Sequence, residues 1–179
     1  MLQITVPSQE YWDSVNQRFV YTKEQTLQLE HSLVSLSKWE SKWNKSFLHA
    51  QDKTDEETLD YIRCMTITQN VNPEVYSRLS ANNIKEITEY INAPRTATTF
   101  SKGSNGKRNN KIITAEVIYS WMVALNVPPQ YEKWHLNKLI TLIRVIEEQN
   151  NPKKMSKKDI YSRNAQMNAR NRAKYKSKG

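Results

Sequence analysis

The stretch EHSLVSLSKWESKWNKSFL, residues 30–48, decides how this chain folds. Leu33, Leu36, Trp39, Trp43 and Phe47 recur in it at spacings of three and four, which places them on one face of a helix. The charged residues Lys38, Glu40 and Lys42 fall mostly off that face. Upstream the period is different. LQITV (2–6) alternates and is rich in β-formers, and RFVYT (18–22) does the same after a polar turn, DSVNQ (13–17). These two runs predict a hairpin, with TLQLE (26–30) as a third short strand. The chain therefore reads as α+β, mainly α-helical with a short N-terminal β-hairpin.

Helical signals continue downstream. Thr54 followed by Glu57 is a capping box, with Asp55 and Glu56 favourable in the first turn. It opens DEETLDYIRCMTIT (55–68), where Leu59, Ile62 and Met65 form an apolar stripe. NPEVYSRL (72–79) reads as a short helix with Pro73 near its start, and NNIKEITEYI (82–91) as another, carrying Ile84, Ile87 and Ile91 on one side. Residues 93–111, APRTATTFSKGSNGKRNNK, interrupt the pattern with two of the three glycines. They are expected to form a mobile loop or small hairpin, with TATTF as a candidate strand. Helicity resumes at TAEVIYSWMVALNV (114–127), and the prolines at 128 and 129 break it. QYEKWHLNKLITLIRVIEEQ (130–149) is the most apolar helix and the expected centre of the core, with Trp121 and Trp134 as core residues.

Charge divides the chain in two. The whole sequence holds 27 basic and 18 acidic residues; the last 29 positions hold 10 and 1 of these, so residues 1–150 are neutral. This split argues against a basic groove over the body. One domain over 1–150 is a comfortable size for a single core, and 151–179 reads as a basic C-terminal arm. Ser156 with Asp159 resembles a second capping box, so 157–175 is expected to be helical, with Ala165, Ala169 and Ala173 every fourth residue. Large apolar residues are few there, so such a helix is marginal unless a partner holds it. The body is expected to fold without it.

Residues that could carry chemistry do not converge. His31, His49 and His135 lack metal-ligand spacing, and Cys64 has no second cysteine to pair with. Cys64 lies between Arg63 and Met65 on an apolar helix and reads as a small buried hydrophobe. His135 reads as a core or boundary histidine. The acidic group Asp55, Glu56, Glu57 and Asp60 suits a helix N-terminus better than a catalytic site. No nucleophile elbow or Gly-rich phosphate loop is present. The expectation is a protein that is not an enzyme, with no cofactor and no metal. No apolar run is long enough to cross a bilayer, and MLQITVPSQEYWD lacks the basic and apolar regions of a signal peptide. Trp39 and Trp43, four apart, form an aromatic pair for which core packing and a partner interface are the two readings.

Several stretches taken together resemble a known group: LQLEHSLVSLSKWESKW (27–43), YIRCMTITQNV (61–71), YSWMVALNVP (119–128) followed by KWHLNKLITLIRV (133–145), and KKMSKKDIYSRNAQMNARNRAK (153–174). They are similar to a family of small proteins of tailed bacteriophages associated with tail assembly chaperones. The similarity runs in order along nearly the whole chain, apart from the loop at 93–111. It implies a helical, non-enzymatic protein that escorts the long tape-measure protein, or other tail proteins, while tails polymerise in the host cell cytoplasm. Its partner-binding residues would be Trp39 and Trp43 with the basic set Lys153, Lys154, Lys157, Lys158, Arg163, Arg170, Arg172 and Lys174. Self-association is a further expected contact. The alternative is a virion-structural or nucleic-acid-binding protein that uses the basic arm, where each phosphate contact would steepen the salt dependence. Tyr161 and Tyr175 are the arm's only aromatics, too few for a base-stacking platform.

Overall fold

Two antiparallel ladders open the chain. β1 (Leu2–Val6) pairs with β4 (Gln25–Leu29), and β2 (Gln9–Asp13) pairs with β3 (Arg18–Thr22). Partner numbers add to 31 throughout both ladders, so one hairpin register runs through them. The break falls at residues 7 and 8, where Pro7 has no N–H to give to a ladder. The computed structural model describes residues 1–100, 112–150 and 157–175.

The expected pairing of LQITV with RFVYT does not form. A turn over 14–17 sets Asp13 opposite Arg18, so the partner of Arg18–Thr22 must be the run just before the turn, QEYWD. LQITV finds TLQL instead. Both runs then turn alternate side chains, Ile4, Val6, Leu27 and Leu29, onto the helices, and all four are buried.

α1 (Leu33–Trp43) starts at the N-cap Ser32, whose hydroxyl accepts from Ser35 N–H while Ser35 returns a bond to the Ser32 backbone. It stops earlier than the stripe predicts, because Asn44 takes a left-handed conformation (φ 53°) at the C-cap. Phe47 thus lies beyond the helix, yet it still packs edge-on to Trp39 and stacks on Tyr61 with centroids 3.7 Å apart. Glu40, expected off the apolar face, is buried. Its two carboxylate oxygens accept from Phe47 N–H (2.9 Å) and Ala115 N–H (2.6 Å), which ties the post-helix turn to the start of α5 (Ala115–Ala124).

α2 (Asp55–Met65) opens with the expected capping box, Thr54 and Glu57 exchanging side-chain bonds with each other's backbone. Its end comes at Met65; the β-branched run Thr66–Thr68 leaves the helix and lies along β4. Ile67 N–H donates to Gln28 O and Gln28 N–H to the Thr68 hydroxyl. A one-turn helix α3 (Glu74–Ser77) and α4 (Ala81–Asn92) follow, α4 capped by Ser80 and Asn83. The main core lies between the β1–β4 pair and these helices: Trp39, Tyr61, Ile62, Met65, Val75, Ile87 and Tyr90 close over the strands.

Residues 93–100 form no regular element, so TATTF is not a strand, and the rest of the expected loop lies outside the described residues. Arg144 lies over the Phe100 ring at 3.8 Å. After α5, a 3-10 turn (Pro129–Lys133) leads into α6 (Leu136–Asn150). The expectation that this last apolar helix centres the core is corrected. Leu136, Leu139 and Ile143 are buried, but they stand apart from the cluster that covers the strands. Trp121 and Trp134 are only half-buried. Trp134 has extended backbone just before α6, off the helical face, and stacks on Tyr131 under the Lys138 ammonium.

The chain divides into two compact units, Met1–Arg144 and Val145–Gly179. The second contains α7 (Lys157–Tyr175), a helix over the span that the arm's sequence predicts. Its expected cap at Ser156 lies outside the described residues.

Candidate functional site

The groups best suited to chemistry are held in structural roles. α4 ends without a glycine cap, and residues at the start of α6 take its last carbonyls. His135 donates from Nε2 to Tyr90 O (3.0 Å) and accepts Asn137 N–H at Nδ1 (3.3 Å), while the Asn137 amide donates to Ile91 O and Ala93 O. These bonds fix the neutral Nε2–H tautomer. His31 Nδ1 is hydrogen-bonded to the Tyr61 hydroxyl at 2.6 Å, and the two imidazoles meet edge to face 5.2 Å apart. Burial lowers the pKa of both, with His31 pushed down to about 3 by burial and, secondarily, by the repulsion a protonated His135 would add. Burial also raises the Tyr61 and Cys64 pKa values. A buried neutral pair of this kind braces the junction between α4 and α6 and offers no exposed base.

The acidic group behaves likewise. Glu57 completes the capping box and pairs with Lys45; the hydrogen bond from Lys45 holds its pKa below the usual carboxylate range. Burial works to raise the Asp60 pKa, but bonds from Lys42 (2.6 Å) and Trp43 Nε1 (2.9 Å) outweigh it and hold Asp60 low. No group of three or more His, Cys, Asp or Glu among the described residues could hold a metal ion. No helix there is long and apolar enough to cross a membrane.

Of the aromatic pair proposed as partner anchors, Trp39 has no exposed surface and belongs to the core, with Nε1 donating to Glu57 O. Its place follows from the i, i+3 stripe itself, which faces α2 and the strands rather than solvent. Trp43 is half-buried at the edge of the same cluster, tied to Asp60. The basic set divides. Lys153 and Lys154 lie outside the described residues. Lys157, Lys158 and Arg163 are positions of α7, and Arg170, Arg172 and Lys174 are exposed on it. Positions 163, 170 and 174 fall on one line of the helix at spacings of seven and four. Every side chain described on α7 is exposed, including Tyr161, Met167 and Tyr175, so the described residues of the helix form no buried apolar face.

Sequence reasoning missed a second surface. The β2–β3 ribbon carries Tyr11, Trp12, Val15, Phe19 and Tyr21, all exposed; Trp12 is 51% and Phe19 66% accessible. Trp12 lies opposite Phe19 in the ladder, their rings edge to face at 4.9 Å, and Tyr21 shares their side by the alternation of the strand. Arg78 anchors the foot of this arm by donating from Nη1 to Pro7 O and the Thr22 hydroxyl. A polar cavity of about 350 Å³ lies beside it, lined by Gln9, Tyr11, Thr22, Glu74, Ser77 and Arg78. The signal was present in the turn at 14–17, which makes QEYWD a strand and sets two aromatics opposite each other in the ladder. Neither a protein-family model, nor a curated protein, nor a solved structure matches this chain.

Proposed function

We propose that this chain is a non-catalytic assembly protein, a phage tail assembly chaperone that binds the tape-measure protein through its basic C-terminal helix. The observation that supports the reading is α7: a helix of 19 residues with basic positions along its length and every described side chain exposed. A helix with no apolar stripe gains nothing from packing, so its stable state is one in which a partner neutralises its charge. That partner presents an acidic, helical surface, and electrostatic attraction guides its approach. The buried, engaged His31 and His135 and the half-buried, high-pKa thiol of Cys64 favour binding over turnover. The phage-tail context rests on the sequence resemblance.

The test is a pull-down from nuclease-treated lysate of infected cells, with the full chain and with Arg170→Gln/Arg172→Gln/Lys174→Gln in the full chain. Capture of the tape-measure protein by the first and its loss with the second is the expected result. If nuclease strips every partner from the unaltered protein, the chaperone reading fails and the nucleic-acid alternative replaces it.

A further inference from the structure

From the β2–β3 arm we infer a second, separate contact: it joins copies of this chain head to tail, the free edge of β2 in one copy adding to the free edge of β3 in the next. Among the described residues the arm has a single ladder, so each of its strands keeps one edge without a strand partner there. Two-stranded ribbons are marginal in water, and further strands stabilise them. Five large apolar side chains crowd its eleven residues from Tyr11 to Tyr21, a density that marks a contact surface on a folded protein.

Charge selects the occupant. β2 carries Glu10 and Asp13 and no cation; β3 carries Arg18 and no carboxylate, with the neutral pair Lys23 and Glu24 just beyond it. Joining β2 to β2 or β3 to β3 sets like charges together, whereas β2 against β3 of a neighbour in the same register sets Asp13 opposite Arg18. This is also the pairing the sequence already makes within the molecule, with Trp12 opposite Phe19 and Asp13 opposite Arg18. Repeated between copies in the same register, it would extend the row of Trp12, Phe19 and Tyr21 into one continuous aromatic face. A head-to-tail contact leaves one free edge at each end, so it propagates into a ring or a filament rather than stopping at a dimer.

The experiment is sedimentation velocity of the full chain over a wide concentration range, paired with amide hydrogen exchange at both ends of that range. The expected result is a mass rising above the 21.1 kDa of one chain, with slowed exchange in both 9–13 and 18–22 at high concentration. Trp12→Ser/Phe19→Ser and, separately, Arg18→Glu, which sets an acid opposite Asp13, should each weaken association at least about tenfold. Association lost on neutralising Arg170, Arg172 and Lys174, but kept in the arm variants, would overturn the proposal by placing the contact on α7. A monomer at every concentration, or exchange in the arm that ignores concentration, would overturn it too and leave the arm for a different protein. These readouts use no partner protein, so they stand or fall independently of the tape-measure reading.

Discussion

Lowering the pH from about 7 to about 5 should destabilise this protein by about 2 kcal/mol through His31 alone. His31 is 2% exposed, faces the Tyr61 hydroxyl and the His135 ring, and has its pKa pushed down from 6.5 to about 3. In the unfolded chain it protonates freely below its ordinary value, while in the folded chain it stays neutral. A depressed folded pKa means stability is intact above the unfolded value and is lost as pH falls through the window from 6.5 to about 3. The slope approaches about 1.4 kcal/mol per pH unit, and at pH 5 the accumulated loss is about 2 kcal/mol. His135, lowered chiefly by burial, adds a loss of the same sign. Glu57, Asp60 and Glu116 have lowered pKa values and lose stability only below their ordinary values of 4.5, 3.8 and 4.5, outside this interval. Glu40, raised by burial, works in the opposite direction. Urea unfolding followed by tryptophan fluorescence at the two pH values measures the difference, and His31→Gln should flatten the pH dependence by its share. Equal stability of the unaltered protein at both values, or an unchanged slope in His31→Gln, would refute the buried neutral histidine.

Trp39→Ala should cost about 3–5 kcal/mol, and Trp134→Ala clearly less, because the first ring has no exposed surface while the second is half-buried; denaturant midpoints decide the order. Glu40→Ala should cost about 1–3 kcal/mol by leaving Phe47 N–H and Ala115 N–H without acceptors. Glu40→Gln keeps an acceptor oxygen, so its thermal unfolding should lie nearer that of the unaltered protein. Cys64 should react with a thiol reagent more slowly in the folded chain than in urea, since burial raises its pKa and reduces the thiolate; equal rates would contradict its half-buried position.

The sequence by itself determined the elements that local chemistry specifies. The Thr54–Glu57 box fixed where α2 begins, the leucine and tryptophan stripe made α1, and the neutral body beside a basic arm separated two behaviours along the chain. These signals lie within a few residues of one another, so no distant contact is needed to read them. Tertiary structure decided the rest. QEYWD became a strand because a turn and a facing strand required it, and Thr66–Thr68 left α2 to lie along β4. Glu40 became a buried strut through an amide 75 residues away, although its position beside the apolar stripe reads as solvent-facing. Trp39 and Trp134 are both tryptophans in apolar stretches, yet one is sealed and the other half-open. Burial depends on which elements meet, and that is set by pairing between distant parts of the chain rather than by the period of any one of them.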